Sequence, residues 1–114
     1  MSSEAKLSGE SSVVEEILHH REKVLVRRLI LEPDDATHWH RDVCQRVTVV
    51  LRGSALRIEF RDGGSPRLVE VRASQVDWDT PSTHVHRAVN VGTDAYEEVT
   101  IFFLENIDAV PQPE

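Results

Sequence analysis

Thr37-His38-Trp39-His40-Arg41-Asp42-Val43-Cys44-Gln45-Arg46-Val47-Thr48-Val49-Val50-Leu51-Arg52-Gly53 is the stretch on which the fold reading turns. Its second half, 46–51, is a run of β-branched and aliphatic residues closed by Arg52-Gly53, which reads as a strand ending at a turn. Its first half carries His38, His40 and Asp42 at alternate positions. Successive side chains of an extended chain point to opposite faces, so these three share one. The same grammar repeats on either side. Segment 24–31 (VLVRRLIL) ends at Glu32-Pro33-Asp34-Asp35, and 54–60 alternates until the turn cluster Arg61-Asp62-Gly63-Gly64-Ser65-Pro66. Segments 68–73, 76–79, 85–91 and 97–104 follow as further strand candidates. Only 13–23 (VVEEILHHREK) could be a helix, and its Val-Val start leaves that open. Short strands at close spacing indicate an all-β sandwich or barrel, and a parallel βαβ fold has no room for its crossovers.

A chain of 114 residues accommodates one domain with a genuine core. The ends, 1–12 and 108–114, lack apolar periodicity and read as a disordered leader and a flexible tail around a domain at 13–107. The single cysteine, Cys44, rules out an internal disulfide framework. Thirteen basic against twenty acidic residues give a net charge of −7, which argues against nucleic acid and anionic membranes as partners. With no apolar run of spanning length and no secretory signal after Met1, the expected setting is the cytoplasm.

The six histidines fall in pairs, His19-His20, His38-x-His40 and His84-x-His86. The adjacent pair cannot share a ligand on a strand and is read as solvated helix surface. Each H-x-H pair can project from one strand face, and two such strands facing each other in a barrel bring imidazoles to one point. With Asp42 they supply the composition of a two-histidine, one-carboxylate metal site. The plainer alternative is a polar rim of histidines bonded to water and backbone.

These residues resemble the two signature motifs of the cupin superfamily. In the first motif, counted back from Gly53, Arg46 stands at the family's glutamate place, Asp42 at its second histidine, His40 at its first and Asp34 at the early glycine. The register using His38 and His40 puts Gln45 at the acidic place and leaves one residue too many before Gly53. In the second motif, Pro81-Ser82-Thr83-His84-Val85-His86-Arg87-Ala88-Val89-Asn90 looks like P-x-G-x-x-H-x-x-x-N, with His86 at the ligand place and Asn90 as the structural asparagine. The resemblance covers roughly residues 24–104. It implies a single-domain double-stranded β-helix, or jelly-roll barrel, and by analogy a homodimer. It further implies a divalent metal (iron, zinc, manganese or nickel) held by His40, Asp42 and His86, with His38 or His84 as possible helpers.

Arg46 departs from the pattern, because a guanidinium has no lone pair to donate to a metal. It can swing away, pair with Asp42, or clamp the carboxylate of a small anionic ligand. Two functions from different classes therefore stand. One is a metal-binding protein acting on a small organic molecule as an oxygenase, isomerase or lyase. The other is a non-catalytic binding or structural barrel with a degenerate metal site. Cys44 is read as a small apolar filler, Trp39 and Trp78 as packing at the barrel mouth or core, and Glu97, Glu98 and Thr100 as a solvated hairpin face.

Overall fold

The structure, a computed structural model, describes residues 12–104 and the strand placement of Gln112–Pro113. Among the described residues there is no helix, and hence none long and apolar enough to cross a membrane. Two five-stranded antiparallel sheets face each other. The first runs in the order β1 (Val14–Arg21), β2 (Val24–Leu31), β9 (Tyr96–Phe103), β4 (Gln45–Arg52), β7 (Val76–Asp79). The second runs β10 (Gln112–Pro113), β3 (His40–Arg41), β8 (His86–Asn90), β5 (Ala55–Phe60), β6 (Arg67–Glu70). After β2 the chain crosses between sheets at every connection except the β5–β6 hairpin, as a jelly roll does.

The all-β reading holds, with one correction. The helix candidate 13–23 is a strand, β1, paired with β2 from Val14↔Ile30 to Arg21↔Val24. Cross-strand ion pairs, Arg27 with Glu15 and Arg28 with Glu16, hold its charges against β2. His19 and His20 are solvent-exposed as expected, but on a strand. Of the expected leader, 1–11 lies outside the described residues, and the Ser12 hydroxyl donates to the Asp35 carboxylate. Of the tail, Gln112–Pro113 lies antiparallel to His40–Arg41, and 108–111 and 114 lie outside the described residues.

Between the sheets sit two apolar clusters. Leu29, Leu31, Val50, Leu56 and Tyr96 form one, and Leu25, Cys44, Phe102 and Leu104 the other. Cys44 is thus core filler, and each buried leucine, valine or phenylalanine around it contributes about 1.5–3 kcal/mol relative to exposure. Asn90 ties the clusters' periphery together. Fully buried, it donates from Nδ2 to the carbonyls of Leu31 and Asp94 and accepts at Oδ1 from the Gly92 amide, all at 2.9 Å.

Gly53 makes the step from β4 to β5, where the chain leaves one sheet for the other. Its φ of +138° is one that L side chains rarely adopt, and an added Cβ would lie 2.8 Å from Tyr96 Cδ1. Gly53→Ala is therefore expected to destabilise the protein by roughly 1–3 kcal/mol, read as a lowered urea midpoint at unchanged slope.

Candidate metal centre

The segment after β2 is pinned along β8. Backbone bonds join Asp34 N to Asn90 O and Thr37 N to Ala88 O, and the Thr37 hydroxyl accepts from the Ala88 amide. This lays 34–40 antiparallel to β8 and sets His40 directly opposite His86. Ser82 N bonds to Asp42 O, fixing the chain on the far side. Alternation then turns His40, Asp42 and His86 to the inside.

The three ligand atoms of His40, Asp42 and His86 all lie within 4.8 Å of one another, and Asp42 is buried. His86 Nε2 is 2.9 Å from Asp42 Oδ2, His40 Nε2 is 3.6 Å from Oδ1, and the two imidazole rings lie 4.6 Å apart. His40 Nδ1 lies 2.6 Å from the His38 carbonyl and His86 Nδ1 lies 2.9 Å from that of His84. A carbonyl only accepts, so both Nδ1 atoms carry hydrogens and both Nε2 atoms are left to face Asp42. This is how ligating histidines are oriented in metal proteins.

The electrostatics fit that geometry. Burial pushes the His40 pKa down, against the His38 carbonyl bond and the Asp42 charge, so its Nε2 lone pair stays free near neutrality. Burial alone would raise the Asp42 pKa, but the His86 hydrogen bond and the Arg46 and His40 charges hold it below the usual carboxylate range. His86 moves the other way, raised chiefly by its hydrogen bond to Asp42. The structure therefore brings together three of the sequence-derived candidates. His38 and His84 serve through their carbonyl oxygens, and their rings are exposed, His84 lying 3.5 Å from Asp62 on the surface.

Arg46, on β4 of the opposite sheet, places Nη2 3.0 Å from Asp42 Oδ2 and 3.8 Å from Asp79 Oδ2. Of the roles open to it, pairing with Asp42 is the one adopted. Its Nη1 is buried without a hydrogen-bond partner among the described residues.

The centre opens on a cavity of about 490 Å³ between the sheets. Its far wall holds a polar network that the sequence reading assigned to solvent. Glu98 and Thr100 point inward and are buried. Glu98 accepts from the Tyr96 hydroxyl (2.5 Å), the Thr100 hydroxyl (2.5 Å) and Arg27 Nη2 (3.0 Å). Burial and the Glu98 charge raise the Tyr96 pKa far above its ordinary value, so the phenol remains a donor. The available signal was Arg27, a charge at a position of 24–31 whose parity is otherwise apolar. A buried arginine demands a carboxylate across the strand pair.

No protein-family model matches the chain, and no curated protein matches it in sequence. Solved structures do match in shape. A cupin-domain protein from Bordetella pertussis superposes with a TM-score of 0.72 at 18% identity, covering 82% of this chain and 94% of that one. The fold is a cupin fold. An uncharacterised double-stranded β-helix protein from Klebsiella pneumoniae subsp. pneumoniae gives a TM-score of 0.69 at 16% identity, covering 99% and 94%. An oxalate oxidase in complex with the substrate analogue glycolate gives 0.60 at 20% identity, covering 90% of this chain and 55% of that one. At such identities the likeness establishes the cupin barrel and nothing about chemistry.

Proposed function

We propose that this cupin barrel binds a divalent cation through His40 Nε2, His86 Nε2 and the Asp42 carboxylate, and takes a small organic molecule into the cavity beside it. The observation that carries the reading is the pinning of both Nδ1 atoms, which aims two imidazole lone-pair positions at one buried carboxylate. Two imidazoles and one carboxylate suit iron, manganese, zinc or nickel, and three protein ligands leave coordination positions open. A cation held there would supply Lewis-acid polarisation of a bound carbonyl oxygen, as suits an isomerase or lyase, or, where it is redox-active, an open position for dioxygen, as suits an oxygenase.

The chain's own charges set what can enter. Five carboxylates, Glu15, Asp42, Asp77, Asp79 and Glu98, line the cavity against two guanidiniums, Arg27 and Arg46. An anionic ligand meets net negative charge unless a divalent ion offsets it. Binding of small carboxylates is therefore metal-dependent, with Arg46 Nη1 the donor nearest the centre that lacks a hydrogen-bond partner among the described residues, as Arg27 Nε does on the far wall.

Elemental analysis of protein purified without a polyhistidine tag tests the reading, followed by calorimetric titration of chelator-treated protein. One equivalent of a divalent transition metal is expected. Metal-free protein that takes up none overturns it.

The Arg46–Asp42 ion pair favours a second reading, a barrel that binds a small molecule without metal or catalysis. Arg46→Met separates the two. Removing a fixed cation at this distance from a metal ligand is expected to tighten metal binding by roughly tenfold or more, the scale of one close charge screened as in water. In the second reading the same variant gains no metal and loses carboxylate binding.

A further inference from the structure

Strand register arranges the cavity's far wall in rows across the first sheet. Arg46, in the row of Asp79 and Phe102, stands at the level of the metal centre, where it bonds Asp42. Two residues further along β4, about 6.7 Å away, Thr48 is paired with Asp77 on one side and Thr100 on the other, and Thr100 in turn with Arg27. The next row brings Glu98 between Val50 and Leu29. Hydrogens run one way through this wall. The Glu98 carboxylate, ionised against Arg27, only accepts, so the Thr100 hydroxyl commits its single hydrogen to Oε2 and the Tyr96 hydroxyl commits its own to Oε1. The Thr48 hydroxyl, 3.2 Å from that of Thr100, is therefore the donor of that pair. Thr48 and Tyr96 are left with lone pairs and no hydrogen to give.

The charges agree with that direction. On the wall Glu15, Asp77 and Glu98 stand against Arg27, three carboxylates to one guanidinium, a net of −2. Arg27 is no anchor for a second anion. Its Nη1 bonds Glu15 at 3.1 Å and its Nη2 bonds Glu98 at 3.0 Å, and the unpartnered Nε does not offset two carboxylates. At the centre Asp42 and Asp79 against Arg46 leave −1, which a divalent cation turns to +1. Between the two ends the second sheet presents aliphatic side chains, Ile58 and Ala88 one row in from His86 and Leu56 a row further. We propose, resting on the metal-binding reading above, that the cavity takes a zwitterion: an amino acid whose carboxylate faces the metal and Arg46, and whose ammonium, at the other end of a short aliphatic chain, donates to Thr48 and Tyr96. A chain of about five carbons spans the step from the row of Arg46 to that of Thr48.

Elemental analysis fixes the metal content first, and calorimetry of the full chain with four probes of similar length follows. δ-Aminovalerate carries a carboxylate and an ammonium at opposite ends, glutarate two carboxylates, valerate a carboxylate and a methyl, and pentylamine an ammonium alone. On metal-loaded protein δ-aminovalerate is expected to bind roughly tenfold or more tighter than valerate or glutarate, the scale of one hydrogen bond to a charged group. Thr48→Val keeps the shape and removes the acceptor, so it narrows that gap at unchanged metal content. Valerate or glutarate binding as tightly as δ-aminovalerate overturns the proposal, and so does a gap that folded Thr48→Val leaves intact. Should Thr48→Val lose its strand circular dichroism, the wild-type comparison decides alone. A protein that takes up no metal sinks the reading of the centre separately, and the wall is then decided without it. Pentylamine binding tighter than valerate supports the ammonium site, and pentylamine binding no tighter overturns it.

Discussion

On the proposed metal-binding reading, His86→Ala is expected to weaken divalent-metal binding by about 100-fold or more, to be read by competition with a chromophoric chelator. Three protein donors are the minimum for a tight site, and the loss of one leaves His40 and an aspartate already engaged by Arg46. The fold survives, because Asp42 keeps its Arg46 partner and no charge is stranded. His84→Ala is the matched control. What His84 gives the centre is its backbone carbonyl, which alanine retains, so the metal affinity stays within about twofold of the wild type. Equal losses in the two variants would show that the rings, not the pinned geometry, had been misassigned. The same site dictates a pH dependence. The bond to Asp42 raises the His86 pKa, so a proton occupies Nε2 below it and competes with the metal. Affinity therefore rises with pH up to and through that raised value, then levels off once the proton is gone.

Asn90→Ala is expected to cost about 3–5 kcal/mol of stability without touching a ligand. The side chain is fully buried and satisfies two carbonyls and one amide from two stretches of chain, the end of β2 and the loop that follows β8. Alanine removes the partner of all three, and the Leu31 carbonyl is left where water does not reach. Each such group costs about 1–3 kcal/mol, and the three do not add fully because the Asp94 loop can relax toward solvent. Asn90→Asp does not rescue it, since a carboxylate cannot donate to the Leu31 and Asp94 carbonyls. Denaturant unfolding monitored by circular dichroism reads the loss as a lower midpoint. A cost under about 1 kcal/mol would mean that the network is not what closes this corner of the barrel.

The second motif was the more legible for a physical reason. His86 and Asn90 both face inward on one short strand, four residues apart, so their spacing survives folding unchanged. The first motif mixes a strand end, a loop and a strand on the opposite sheet, and there spacing constrains less. Counting alone could place Arg46 at a ligand position but could not say which partner it takes. That depended on how closely two sheets approach, and the answer is Asp42 at 3.0 Å.

Trp78 and Glu98 show the same limit from the other side. A tryptophan is ordinarily assigned to the interior and a Glu-Glu pair to solvent. Here Trp78 stands on the outer face and Glu98 is buried, because Arg27 already lies inside and draws the carboxylate across β2 and β9. Hydrophobicity ranks residues one at a time, whereas burial of a charge is decided by its partner.

By itself the sequence determined the strand class, seven of the strand positions and the interior parity of His40, Asp42 and His86, since alternation and turn residues are local properties of the chain. Tertiary structure alone decided that β1 is a strand, that His38 and His84 act through carbonyls, and that Arg27, Arg46 and Glu98 point into the barrel while Trp78 faces out. Each of those depends on which strand lies beside which, and pairing between residues distant along the chain leaves no periodic mark in it.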